Sequence, residues 1–210
     1  MVDLRKHSQI INTHTHSDFV ARAQQPAATQ QYAIDAKASR FTVKAFASGM
    51  SAGLGHNPTI AIRDFNGEGE FSQNLEQASL ALNIRAESLK VEDEMRDDDR
   101  RTLERIMRDQ VLVTSIFPEI LFESSSITSL KLSEGVYQAT IVGKLTLHGV
   151  TRRHYFVSQV TVGAYNLRAS GEFEIRQSDF DIKPVAIAGG ALTVQDELKF
   201  AFFMVAKLRE

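Results

Sequence analysis

The stretch GLGHNPTIAIRDFNGEGEF, Gly53 to Phe71, sets His56 in a corner of Gly, Asn and Pro, just ahead of an alternating run. An imidazole titrates near neutral pH, so a histidine here could act as a general base or hold a polar ligand. Geometry accounts for the corner without it. Gly53 and Gly55 free the backbone to turn, and Pro58 pushes Asn57 away from helical angles. No acid stands beside His56 in the sequence to complete a catalytic set. His14 and His16 in THTH fall on one side of an extended segment, a spacing that can hold a metal. A zinc site needs at least one further positioned ligand, so this tail predicts no metal. Glu123, Glu172 and Glu174 are candidate general acids, but nothing pairs them with a base. Asp97, Asp98 and Asp99 lack the spacing, turn glycine and distal glutamate of a calcium loop; they suit the start of a helix instead.

Other catalytic patterns are missing as well. The chain has no phosphate loop, dinucleotide-binding glycine pattern or helical His-Glu-x-x-His. Cysteine is absent, which removes disulfides, thiolate nucleophiles and Cys-based zinc sites. A net charge of -2 gives no electrostatic footprint for nucleic acid. With 43% hydrophobic and 24% charged residues over 210 positions, the composition is that of a globular chain with a sizeable core. No window reaches the roughly 18 apolar residues of a membrane span. The start carries Arg5 and Lys6 but no apolar core of a secretory signal. That predicts a cytoplasmic location for the chain as written, or a periplasmic one if the native start differs.

The elements that must position any site are strands. Residues 1–30 are polar and read as a flexible or loosely attached segment, with a linker around Gln24 to Gln30. From there to residue 210 the chain is a series of short Val, Ile, Phe, Tyr and Thr-rich segments punctuated by Gly, Asn, Asp and Pro. Leu80, Leu82, Ile84 and Ala86 alternate with Ala81, Asn83 and Arg85, and Tyr137, Ala139, Ile141, Gly143, Leu145 and Leu147 with Gln138, Thr140, Lys144 and Thr146. Such alternation gives a strand one dry and one wet face. About eight of them in antiparallel succession suggest a sandwich or a barrel, and closure removes sticky edges. One segment departs from this pattern. Leu103, Ile106, Met107 and Gln110 follow helical spacing, predicting a single amphipathic helix over roughly 94–110 whose apolar stripe lands on a barrel mouth or outer wall.

Three longer stretches resemble the YceI-like polyisoprenoid-binding family. They are MRDDDRRTLERIMRDQVLVTSIFPEILFESSSI, VGKLTLHGVTRRHYFVSQVTV and LRASGEFEIRQSDFDIK, and the earlier FTVK and DFNGEGEF fit the same pattern. The resemblance runs from Tyr32 to Leu208. It implies a mostly β fold, a lipocalin-like antiparallel barrel with helical additions, and an apolar cavity for the tail of a long isoprenoid lipid or isoprenoid quinone. Between FTVK and DFNGEGEF the chain carries AFASGMSAGLGHNPTIAI, longer and richer in Gly and Ala than the family pattern.

On this reading the ligand is an amphiphilic lipid, no cofactor or metal is implied, and the protein carries, stores or sequesters its ligand rather than transforming it. Burial of each methylene contributes about 0.8 kcal/mol, so a tail of several isoprene units supplies most of the affinity. The candidate lining residues are the large apolar ones on the alternating faces: Phe41, Val43, Leu82, Ile84, Phe122, Ile141, Leu145, Phe173, Phe200 and Phe202. Any one of them could equally be packed core. Lys144, His148, Arg152, Arg153 and His154 form a basic cluster around the turn LTLHGVTRRHY, which is either a solvated hairpin face or a place where arginine forks meet a diphosphate or quinone carbonyl. His56, His148, Arg152 and Arg153 are the head-group candidates. The last strand, ELKFAFFMVAKL, is apolar on both faces, predicting burial under the Leu103 to Met107 helix or pairing in a homodimer. Two other functions fit the same strands: a barrel enzyme acting on a small apolar substrate, and a structural or stress-related oligomer with a filled barrel.

Overall fold

Alternation of apolar and polar side chains builds long strands such as the eighth, Val136–Leu147. The computed structural model describes residues 29–48, 57–72, 77–187 and 192–209. In order along the chain, the strands are β1 (Thr29–Ile34), β2 (Arg40–Ser48), β3 (Thr59–Ile62), β4 (Phe65–Ser72), β5 (Ala78–Arg85) and β6 (Leu89–Val91). The helix α1 (Asp97–Ile106) follows, and then β7 (Glu119–Ser133), β8 (Val136–Leu147), β9 (Val150–Val162), β10 (Asn166–Arg176), β11 (Ala186–Ile187) and β12 (Leu192–Leu208).

Eight of these strands close into a ring in the order β1, β4, β5, β7, β8, β9, β10, β12, with every pairing antiparallel. Closure is made by Tyr32 against Leu208, Ala33 against Lys207 and Ile34 against Ala206. β12 is long enough to continue past β1 and pair with β2, and the sheet extends from there through β3 to β6. The β8–β9 hairpin turns on His148 and Gly149, with φ of 51° and 75°. A two-residue turn with both φ positive matches the twist of the flanking strands.

The barrel interior is packed toward one end and hollow toward the other. Tyr32, Tyr137, Val160, Leu167 and Ala206 form a buried cluster where β1, β8, β9, β10 and β12 meet. A second cluster, around Phe41, Phe65, Ile84, Leu112 and Phe180, surrounds the open space. An eight-stranded barrel has room for little more than its own side chains or one slim ligand, and this one divides its interior between the two.

α1 lies at the hollow end and continues through a π-turn over Met107–Val111. Of the predicted stripe, Leu103, Ile106 and Met107 face the hollow, whereas Gln110 is exposed. The helix docks on the free edge of the sheet. Glu104 accepts a hydrogen bond from the Val91 backbone N–H at 3.2 Å and pairs with Lys90 Nζ at 2.9 Å, so a strand edge that would otherwise be open is covered. Asp97, Asp98 and Asp99 occupy the first turn, where the helix dipole favours negative charge, yet none accepts a cap hydrogen bond because Arg96 holds the N-cap position. Asp99 and Asp98 pair instead with Arg96 and Arg101.

The helix does not cover the outside of β12. Phe200, Phe202 and Met204 point into the hollow that α1 closes, and Phe203 on the outer face is 45% exposed.

Candidate functional site

The hollow is a cavity of about 250 Å³ bounded by inward side chains of β2, β3, β5, β7, β8, β9, β10 and β12 and by α1 with its π-turn. All ten apolar residues singled out by alternation line it. Aromatic rings make up one side. Phe173 and Phe200, paired across β10 and β12, stack at 4.8 Å with planes 6° apart, and Phe156 stacks on Phe173 at 5.3 Å. Phe41 meets both Phe65 and Phe200 at 6.1 Å, extending the aromatic wall across to β2. Offset and tilted ring pairs of this kind hold their geometry firmly, which gives the cavity a stiff side.

Among the described residues two break the apolar lining, Gln177 and His154. Gln177 Nε2 donates to the Gln195 carbonyl at 2.8 Å. His154 Nε2 is fully buried and has no hydrogen-bond partner among the described residues. The ring lies 5.2 Å from Phe173, and burial among such neighbours pushes its pKa below the ordinary histidine value.

His154 also stands at an irregularity in the barrel wall. β9 and β10 pair only from Leu167 opposite Val162 to Ser170 opposite Gln159. At the last rung Ser158 Oγ donates to the Ser170 carbonyl at 3.0 Å, and Gly171 passes so close that a Cβ there would lie 2.6 Å from the Val157 carbonyl oxygen. Beyond it the remaining halves of the two strands make no ladder, and Arg152 Nε bridges to the Asp179 carbonyl at 2.9 Å. The seam opens outward into a polar pocket of about 290 Å³ bordered by Arg152, Arg153, Glu174, Arg176, Asp179 and Glu197. His154 and Ile175 are the residues shared by the cavity and this outer pocket.

The head-group candidates separate. Arg152 and Arg153 border the outer pocket. His148 lines neither space: it forms the hairpin turn, its Nδ1 lies 3.3 Å from the Phe180 carbonyl, and its ring packs on Phe117 at 4.5 Å. His56, His14 and His16 lie outside the described residues. Glu174 borders the outer pocket, Glu172 pairs with Lys199 at 2.7 Å and Glu123 is exposed. Among the described residues no group of three His, Cys, Asp or Glu is placed to hold a metal, and no helix is long and apolar enough to cross a membrane. His154 belongs to the basic cluster but is passed over as a head-group candidate in favour of His148, Arg152 and Arg153. Its signal was parity, because it shares the inward register of Phe156, Ser158 and Val160.

Comparison with known proteins agrees with this architecture. A search of curated proteins finds no match. Among solved structures, BcnA of Burkholderia cenocepacia is similar at a TM-score of 0.63 and 17% identity, over 83% of this chain and 99% of that one. A polyisoprenoid binding domain from Saccharophagus degradans, implicated in plant cell wall breakdown, gives 0.58 and 15%, over 85% and 98%. The Campylobacter jejuni YceI protein gives 0.54 and 15%, over 74% and 86%. At such identities these likenesses establish the fold. The sequence pattern of the YceI-like domain matches residues 32–206, from within the first strand of the barrel to within its last, and the chain belongs to that family.

Proposed function

We propose that the protein binds the tail of a long-chain isoprenoid lipid, isoprenoid quinones included, in the barrel cavity, and that it carries, stores or sequesters this ligand without transforming it. One observation carries the reading: a closed barrel keeps a cavity whose lining, among the described residues, is apolar apart from two. Each methylene moved from water into such a space contributes about 0.8 kcal/mol, and several isoprene units together outweigh the cost of immobilising the ligand. Membership of the YceI-like family and likeness to a polyisoprenoid binding domain support the choice of ligand class.

The test is direct. The purified protein is extracted with organic solvent and the extract analysed by mass spectrometry, and the emptied protein is then offered isoprenoid alcohols and quinones. A lipid recovered near one per chain, or loading in vitro, is the expected result. Neither lipid in the extract nor loading afterwards would overturn the proposal.

A further inference from the structure

We propose that the ligand's polar end is held at the β9–β10 seam by a hydrogen bond to His154 Nε2, and that this end is an uncharged group bearing a hydroxyl or carbonyl oxygen. The inference rests on the cavity being a lipid site, and it adds which residue reads the head, where the head sits, and its chemical class.

Buried polar atoms in folded proteins are almost always paired, because an unmade hydrogen bond in an apolar setting is costly. His154 Nε2 is such an atom, buried without a partner among the described residues. The other polar lining residue, Gln177, is bonded to the Gln195 carbonyl. Among the described residues His154 Nε2 is therefore the polar atom of the cavity wall that is buried without a partner. Its position suits a head rather than a tail, because it stands where the aromatic wall ends and the polar outer pocket begins. An amphiphile lying with its chain along Phe156, Phe173 and Phe200 would bring its polar end to that boundary.

Charge selects the head. Burial keeps the imidazole in its neutral form, which accepts from a hydroxyl or, in the other tautomer, donates to a carbonyl. The outer pocket adds no net field for an anion: Arg152, Arg153 and Arg176 are matched by Glu174, Asp179 and Glu197. Arg152 is further engaged with the Asp179 carbonyl. A diphosphate at the seam would meet three carboxylates as well as three guanidinium groups, whereas a single neutral oxygen needs only the imidazole.

The experiment compares the full chain with its His154→Phe and His154→Gln variants, binding geranylgeraniol, geranylgeranyl diphosphate and the hydrocarbon of the same chain lacking the hydroxyl, each measured by calorimetry. Phe keeps the apolar volume and loses the hydrogen bond; Gln keeps hydrogen-bonding capacity. The expected result is that His154→Phe weakens the alcohol by about three- to tenfold, the range of one hydrogen bond, leaves the hydrocarbon unchanged, and that His154→Gln recovers most of the loss. A histidine imidazole resonance that shifts on adding the alcohol, and not on adding the hydrocarbon, should disappear from the spectrum of the Phe variant. Equal weakening of alcohol and hydrocarbon, or of neither, overturns the anchor while leaving the cavity reading in place. Diphosphate binding as tightly as the alcohol overturns the neutral head. Failure of all three to bind the unaltered protein overturns the cavity reading and the anchor together.

Discussion

Gly143 stands directly opposite His154 on the β8–β9 ladder, and the ring of Phe122 occupies the space a side chain at Gly143 would take. A Cβ at this position would lie 2.5 Å from Phe122 Cζ and 2.3 Å from the Glu123 carbonyl oxygen. The ring could rotate aside, but the carbonyl is part of the neighbouring strand and cannot. The missing side chain thus lets Phe122 reach Phe156, 5.4 Å away, across the strand that lies between them. Gly143→Ala should lower stability by about 1–3 kcal/mol, the usual cost of forcing an added carbon into packed structure. Urea denaturation monitored by circular dichroism would measure it, and a variant as stable as the original would show that the strands separate there at no cost.

The pH dependence of stability should carry the mark of His154. Its folded-state pKa is depressed by burial, so well above the unfolded value of about 6.5 the folded and unfolded chains are both neutral at this site. As pH falls through that value, the unfolded chain takes up a proton that the folded chain resists, and stability declines. The nearby charges of the outer pocket, Arg152, Arg153, Arg176, Glu174, Asp179 and Glu197, balance in number, so burial sets the direction. A second decline belongs to lower pH. Asp35, bonded to Lys207 and to the Ala38 and Lys37 amides, and Asp196, bonded to Ser178, both sit below the ordinary carboxylate range. Their stabilisation is present above about 3.9 and is lost as pH falls through their folded values. Denaturation midpoints at a series of pH values should show both declines, and His154→Gln should remove the upper one alone. An unchanged profile in that variant would refute the assignment.

Glu104 offers a separate test of how the helix is held. Its carboxylate accepts from the Val91 amide and pairs with Lys90, and its side chain is only 16% exposed while that of Lys90 is 50% exposed. The half-exposed ion pair contributes little, whereas the amide at the sheet edge would be left without a partner if the acceptor were removed. Glu104→Ala should therefore lower stability by about 1–3 kcal/mol, and Glu104→Gln, which still presents a carbonyl oxygen, by about 1 kcal/mol or less. Hydrogen exchange at the Val91 amide should quicken in the Ala variant and stay slow in the Gln variant. Equal effects in both would assign the anchoring to charge.

The barrel was legible in the sequence because strand alternation is local: Tyr137, Ala139, Ile141, Gly143, Leu145 and Leu147 face inward as their spacing predicts. The helical stripe of Leu103, Ile106 and Met107 was legible for the same reason. What alternation cannot show is where a sheet closes, since Tyr32 and Leu208 are neighbours only in space. Nor can it separate cavity from packing: Ile141 and Tyr137 alternate identically, yet Ile141 lines the hollow and Tyr137 belongs to the packed end. The seam was invisible because it depends on two strands diverging after Ser170. From sequence, His148 is a head-group candidate and His154 is passed over, whereas the structure gives His148 to a turn with positive φ and His154 to the cavity wall.

Ile141 is the position at which the lipid reading is most exposed to refutation. It is buried, it lies where the packed end meets the cavity, and among the described residues no polar side chain beyond Gln177 and His154 lines that space. A carboxylate placed there meets an apolar setting in which it must either stay uncharged or draw in water, and either outcome is hostile to an isoprenoid chain. Ile141→Glu should abolish loading and lower stability by about 3 kcal/mol or more. The loss of loading is informative only in a folded chain, so circular dichroism accompanies the binding assay. Leu145→Met, which conserves volume and polarity on the same strand, should keep both fold and loading. A folded Ile141→Glu protein that loads normally would place the tail outside the barrel, and the apolar interior would then be core.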